Sequence, residues 1–357
     1  MFDNDVIPDR RSPLAAARLA ASTVWSHDAA RSVGEKVRRF RPDVVHFHNT
    51  FPLVSPAAYS AGRAEGAGVV QTLHNYRLLC PNALMFRDGH PCEDCLGRTP
   101  PWPGIVHACY RGSRSQTTVA AAMLTFHRLR RTWERDVDVY VALTEFSKQK
   151  FVAGGLPPDR IVVKPNFLDP DPGGKTAAGD YFLFIGRLVQ YKGVETLLQA
   201  WNGGGQPAPL HIVGDGPLSP TVTRAASEHA RITYLGQMPR TSVLQQLRSC
   251  RSLVFPSLLY ENFPVTVVEA FGCSVPVIAA RIGAVAELVE DGRTGILFEP
   301  GDPEDLIAKV RWAWEHPAEM QRMGREARRE YEAKYTAEHN YQMLMNLYAQ
   351  TVERRHG

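Results

Sequence analysis

Residues 252–272 read SLVFPSLLYENFPVTVVEAFG. An apolar, strand-like run, Ser252 to Leu259, leads into Glu261, and a short helical pattern follows that Pro264 opens and Gly272 closes. Proline suits a first helical turn because it needs no amide partner there and its φ is already helical. Glycine suits the end, where a left-handed residue is often required. Glu261 and Glu269 therefore flank a helix N-terminus that emerges from the C-terminal edge of a strand. In open α/β sheets ligands bind at that edge, and exposed amides there attract anions. A carboxylate so placed accepts hydrogen bonds from sugar or ribose hydroxyls, while the helix dipole, roughly half a positive charge, suits a phosphate. Taken alone, the two acids read equally well as a solvated loop residue and an ordinary exposed helix residue.

A second element tips that balance. Gly186-Arg187-Leu188-Val189-Gln190-Tyr191-Lys192-Gly193 follows the apolar strand Tyr181 to Ile185 and precedes a helix, Val194 to Trp201. Arg187 and Lys192 suit a diphosphate, the arginine as a planar fork and the lysine as a point charge. The loop is neither a Walker A sequence nor a G-x-G-x-x-G fingerprint, so kinase and dinucleotide readings gain no support.

Outward from these two segments the second half alternates regularly. Strand-like runs fall at 181–185, 210–213, 232–235, 253–256, 275–279 and 295–298, with amphipathic helical segments such as Ser242–Cys250 and Pro303–Glu315 between them. Such alternation implies βαβ units and a parallel sheet covered on both faces. The turn Gly214-Asp215-Gly216-Pro217 ends the second strand at the same edge. The first half repeats the theme at Val44–Phe47, Val69–Leu73, Val137–Ala142 and Ile161–Val163. Residues 169–179, rich in Pro and Gly, read as a linker. The expected organisation is α/β with two doubly wound, Rossmann-like domains, 1–170 and 171–335. A helical tail, Ala318 to Arg355, breaks near Tyr335-Thr336, and its last segment, 336–357, returns to the first domain.

The chain of 357 residues exceeds one ordinary core. A net charge of +4 gives no argument for nucleic-acid binding. Arg-rich stretches, Arg128-Leu129-Arg130-Arg131 and Arg322 to Arg329, read as solvated helix faces, with peripheral contact to an anionic membrane as the alternative. No apolar run approaches the roughly 20 residues of a spanning helix, and the start has no secretory apolar segment. A cytoplasmic location is expected, with the inner membrane face as its variant.

Together the G-R-x-x-x-x-K-G loop, the E-x7-E segment and the two doubly wound halves resemble the family-4 glycosyltransferases of GT-B fold. His46-Phe47-His48-Asn49, Thr72-Leu73-His74-Asn75, Gly214-Asp215-Gly216 and Asp291-Gly292-Arg293-Thr294-Gly295 extend the resemblance over most of Arg41 to Gly301. The resemblance implies retaining transfer of a sugar from a nucleotide diphosphate sugar bound between two domains that face a cleft. In that scheme Arg187 and Lys192, beside Gly186, hold the diphosphate in place of a catalytic metal. Glu261 meets the donor sugar's hydroxyls with the backbone of Asn262, Phe263 and Pro264, Glu269 takes the ribose, and Gly214 lies in the donor pocket. His74 faces the donor sugar from the first domain. His46 and His48 alternate along a strand, so one of them at most is expected at the site, His48 being better placed. Backbone near Gln237-Met238 reads the base. The acceptor stays open among polysaccharide, lipid-linked and small-molecule glycan substrates.

Two departures stand out. Relatives open with a strand, a glycine-rich loop bearing an acid, and a helix; here helical residues Ala15–Arg39 directly precede Val44, so that unit is expected to be missing. Either the start is placed too late or the protein is a remnant. The rival function is accordingly a catalytically inactive GT-B protein acting as a nucleotide-sensing or partner subunit. Ala284, within Ile282–Glu287, stands where relatives carry a second glycine.

Cys80, Cys92, Cys95 and Cys109 fall in one aperiodic stretch, and Cys92-Glu-Asp-Cys95 has zinc-knuckle spacing. A loop that long needs a staple, and in a reducing compartment zinc serves better than disulfides. Structural zinc on these four thiols is the expectation, with His90 or His107 able to replace one of them. The loop is expected to shape the acceptor side.

Overall fold

The computed structural model describes residues 13–175, 179–203 and 208–356. The chain divides into two compact units: residues 13–87, 92–164 and 342–356 form the first, 88–91 and 165–341 the second. Residues 176–178 of the expected linker lie outside the described set.

In the first unit four parallel strands stand in the order Val44–Phe47, Gly68–Thr72, Val139–Ala142, Ile161–Val163. The Gly68–Thr72 strand is buried along its whole length, as a strand covered on both faces should be. Asp138 fixes its start, accepting from the Val69 amide at 2.8 Å and from Arg63 Nη1 at 2.5 Å. Leu347, from the last helix, packs against Val70, Val139 and Val141. A Cβ on Gly68 would come within 2.9 Å of the Thr351 side chain, so that helix lies close against the strand.

The single helical run expected before Val44 is two helices, Pro13–Val24 and His27–Phe40. Ser26 breaks it: its side chain accepts from the Ala29 amide at 3.2 Å and its own amide donates to Ser55 Oγ at 2.9 Å. Serine is among the strongest N-caps. Buried His127 meets the Val24 carbonyl at 2.8 Å through Nε2 and so finishes the preceding helix.

The second unit holds six parallel strands in the order Gly295–Phe298, Val277–Ala280, Ser252–Phe255, Phe182–Ile185, Leu210–Val213, Ile232–Gly236. Numbered along the chain this is 6-5-4-1-2-3, the doubly wound order in which the winding reverses between the first and fourth strands. Period-two alternation divides each strand between two cores: Phe182, Phe184, Val254 and Ile278 enter one, Leu183, Leu253, Phe255 and Val277 the other. Each fully buried Leu or Phe here contributes roughly 1.5–3 kcal/mol.

The start of the linker is tied down. Arg328 donates to both carboxylate oxygens of Asp171, at 2.7 and 2.6 Å, and to the Gly272 carbonyl at 2.7 Å. Lys175 Nζ reaches the Cys250 carbonyl at 3.0 Å. Neither Arg-rich stretch is simply a solvated face, since Arg128 also donates to the Leu78 carbonyl at 3.2 Å. The tail is the helices Pro317–Lys334 and Ala337–His356, broken at Tyr335-Thr336. No described helix is long and apolar enough to cross a membrane.

Candidate active site

The reversal point of the second sheet brings three loops into backbone contact. The loop after Ile185 closes with a 3-10 turn, Gln190–Lys192, and Gly193 at φ 71° enters the helix Val194–Asn202. A Cβ on Gly193 would lie 1.9 Å from the Pro256 carbonyl oxygen, so only glycine lets the loops after the first and fourth strands meet. Gly214, at φ 144°, does the same against the Gly186 carbonyl, again at 1.9 Å. The Leu188 amide donates to the Asp215 carbonyl at 2.9 Å and the Leu258 amide to the Tyr191 carbonyl at 2.9 Å, lacing the loops together.

On this frame Lys192 Nζ stands 2.6 Å from Glu261 Oε1, and Ser257 Oγ donates to the same oxygen at 2.8 Å. Glu261 is 9 % exposed. Its carboxylate is thus oriented by two partners and keeps its second oxygen for a further donor. Arg187, exposed, lines a cavity of about 490 Å³ together with Gly186, Gly214, Asp215, Gln237 and Met238. Hydrogen bonds from Ser219 Oγ and the Gly216 amide hold the Asp215 carboxyl below its ordinary range. The cavity therefore offers a guanidinium, a carboxylate and close-lying backbone, a set suited to a polyhydroxylated anion.

The helix Val265–Gly272 has Pro264 at its cap position, and no side chain caps its first turn. Asn262 is 9 % exposed, and the Phe263 ring lies 6.0 Å from that of Tyr335. Glu269 sits in the body of the helix rather than at its mouth. Its carboxylate is 3.7 Å from Arg240 Nη2, and burial raises its pKa while Arg240 opposes the rise.

In the first unit three histidines form a row. His48 Nδ1 and His74 Nε2 are 2.8 Å apart, and the His46 and His48 rings stack at 4.5 Å. The expectation that at most one of His46 and His48 serves this region is corrected: residues two apart on a strand point to the same face, not to opposite ones. His46 also meets Tyr348 Oη at 2.8 Å and Thr72 Oγ1 at 2.7 Å. Burial lowers all three pKa values with help from Lys164, His48 adds to the lowering at His46 and His74, and His46 falls to about 4. At neutral pH the row is uncharged and offers hydrogen bonds, not a cation.

The structure gives the zinc expectation no support. Among the described residues no group of three or more His, Cys, Asp or Glu side chains is arranged to hold a metal ion. Cys80, Cys92, Cys95 and Cys109 are free thiols. Cys80 donates to Asn82 Oδ1 at 3.0 Å and Cys95 to the Pro101 carbonyl at 3.8 Å. Burial pushes the Cys95 thiol up to about 12 and raises Cys80 and Cys109 too. Cations staple the loop instead: Lys150 pairs with Glu93 at 2.5 Å and Arg87 with Asp94 at 2.8 Å.

Sequence reasoning missed Ser257 and Arg240, the side chains that orient Glu261 and Glu269. The strand-like run hid Ser257, and only the observed end of that strand at Phe255 frees it for the loop. Arg240 belongs to a neighbouring helix, Arg240–Ser249, and no local spacing announces it.

Two family profiles match the chain: "Glycosyltransferase Family 4" over residues 5–172 and "Glycosyl transferases group 1" over 179–316. The O-antigen chain mannosyltransferase C of Escherichia coli is 30% identical over 183 residues, 50% of this chain and 49% of that protein. The D-rhamnosyltransferase WbpZ of Pseudomonas aeruginosa is 34% identical over 161 residues, covering 44% and 42%. The matches thus span a little under half the length of these relatives. Among solved structures, Anabaena HepE in complex with UDP superposes with a TM-score of 0.67 at 18% identity, covering 90% of this chain and 82% of that one.

Proposed function

We propose that this chain, a glycosyltransferase of the family-4 type with the GT-B fold, moves a sugar from a nucleoside diphosphate sugar to an acceptor with retention of anomeric configuration. The observation that carries the reading is the oriented Lys192–Glu261 pair, 2.6 Å apart at the reversal point of a doubly wound sheet, beside Arg187 and its cavity. As the glycosidic bond to the diphosphate breaks, negative charge grows on the leaving oxygen. Arg187 and Lys192 stabilise that charge where they are already in place, so no reorganisation is needed during the reaction. This is the work a divalent metal does in other sugar transferases.

Glu261 accepts from a hydroxyl of the donor sugar through the oxygen not engaged by Ser257 and Lys192, with Asn262, Phe263 and Pro264 beside it. Glu269 accepts from the ribose, and backbone near Gln237 and Met238 meets the base. His74 is kept as the donor-sugar contact that the resemblance implies, acting as a neutral hydrogen-bonding group. No side chain is assigned as nucleophile. The acceptor attacks on the face the diphosphate leaves, and a phosphate oxygen takes its proton.

The test is the configuration of the product formed first. With an α-linked donor, proton NMR of the glycoside formed should show an α linkage; a β linkage would refute retention. Binding of nucleotide without release of nucleoside diphosphate from any donor would return the inactive-subunit alternative.

A further inference from the structure

One face of the first unit joins an apolar groove to two arginines that, among the described residues, no acid neutralises. The groove, about 320 Å³, lies where the helices Pro13–Val24 and Arg114–Leu129 pack together; Leu19, Ala20 and Val119 line it, with Phe51, Tyr110 and Arg111 at its rim. Thr23 and Phe51 also line a smaller polar cavity that contains His48, His74 and Arg77, so the two share a wall.

Arg77 is fixed at that wall. Its guanidinium lies 4.1 Å over the Phe51 ring and 4.9 Å from the Tyr110 ring centroid, and Nη1 donates to the Pro81 carbonyl. Arg111 stacks on Tyr110 at 5.3 Å. Burial lowers the Arg77 pKa to about 10, which leaves it charged at neutral pH. Among the described residues neither cavity has an Asp or Glu in its lining. Two cations without a carboxylate favour an anion, and aromatic faces hold a guanidinium in place while leaving its N–H groups to a ligand.

The groove has the opposite character. The helix Pro13–Val24 carries Arg18 as its one charged residue, and Leu14 on it is 75% exposed. A surface helix ordinarily turns charged and polar residues outward. The recess between the two helices therefore suits a single hydrocarbon chain that continues from an anionic head at the arginines.

We propose that the acceptor is a lipid-linked phosphate or diphosphate, its anionic group held by Arg77 and Arg111 and the first part of its chain in the groove beside Val119. This rests on the transferase reading for the word acceptor, though the binding site itself does not. The charge complementarity argues for one amphiphilic molecule rather than an uncharged glycan.

The probe is dodecyl phosphate below its micellar concentration, followed by calorimetry, with butyl phosphate, inorganic phosphate and dodecyl maltoside as companions. Dodecyl phosphate should bind at least tenfold more tightly than each of them, since each methylene buried adds about fourfold. Arg111→Gln and Gln116→Trp should each lose at least tenfold. Gln116 lines the groove and is exposed, so its replacement leaves folding intact and fills the recess. Donor hydrolysis without acceptor should be unchanged in Gln116→Trp. Equal binding of butyl and dodecyl phosphate, or wild-type binding by Gln116→Trp, overturns the proposal. Binding to phosphatidylglycerol vesicles without binding of monomeric dodecyl phosphate overturns it too, and assigns the face to a bilayer. Tight dodecyl phosphate binding with no turnover of any donor leaves this site standing and sinks the transferase reading instead.

Discussion

Replacing Glu261 by Gln should move two related ligands in opposite directions. In the free chain the carboxylate lies 2.6 Å from Lys192 Nζ, with side-chain exposures of 24% and 11% for lysine and glutamate. A phosphate oxygen on the same ammonium would sit about 2.8 Å from Nζ, and so about 5 Å from the carboxylate. At an effective dielectric of about 40–80 the repulsion across that gap is about 1 kcal/mol. Glu261→Gln removes it, so a nucleoside diphosphate alone should bind about fivefold more tightly. A nucleoside diphosphate sugar gains the same amount but loses a charge-assisted hydrogen bond to its sugar, worth about 1.5–3 kcal/mol. Its affinity should fall, by roughly two- to thirtyfold. Calorimetry at fixed ionic strength, because salt screens the repulsion, reads both numbers from one variant. If Glu261→Gln weakens the diphosphate and the diphosphate sugar alike, Glu261 is a structural partner of Lys192 and the sugar contact is wrong.

Other consequences follow from the same geometry. Gly214→Ala, whose Cβ would stand 1.9 Å from the Gly186 carbonyl, should cost more than about 3 kcal/mol in urea unfolding. Gly236→Ala, also at positive φ but facing open space, should cost only about 1–2 kcal/mol, and equal losses would refute the close-approach argument. Ser257→Ala should weaken diphosphate-sugar binding by about tenfold or more, the worth of one hydrogen bond to a carboxylate 2.8 Å away. For the histidine row the native pKa values lie below the unfolded 6.5, so the unfolded chain binds more protons and stability falls as pH drops. His46 alone, with a native value of about 4, should contribute a loss of roughly 2–3 kcal/mol between pH 6.5 and 4. The His46→Gln variant should flatten that slope in unfolding midpoints measured across the range.

Much of this was legible in the sequence because the second unit is repetitive. Leu210–Val213 and Gly295–Phe298 begin and end where their apolar runs do, since buried parallel strands are continuous apolar stretches between polar loops. Placing Arg187, Lys192 and Glu261 at one sheet edge needed only that alternation. The strand order that puts the loops of Arg187 and Glu261 side by side did not appear in any local pattern. Period two was misapplied at His46 and His48. At Cys92 and Cys95 a one-dimensional spacing suggested ligands, whereas among the described residues no group of three or more metal-binding side chains is arranged to hold an ion. Ser26 splits the first helical run by capping, a local signal that the apolar periodicity on either side obscured. Arg77 went unread because its value comes from Phe51 and Tyr110, which only the fold brings together.

The central claim is that the Arg187–Lys192–Glu261 constellation turns over a nucleoside diphosphate sugar. Its most direct test is single-turnover release of nucleoside diphosphate from a panel of UDP-, GDP- and ADP-sugars, without acceptor, by the wild type and by Arg187→Ala. The account predicts slow release from one donor by the wild type and at least a hundredfold slower release by Arg187→Ala, about 3 kcal/mol of lost transition-state stabilisation. Release at the same rate by both would contradict it.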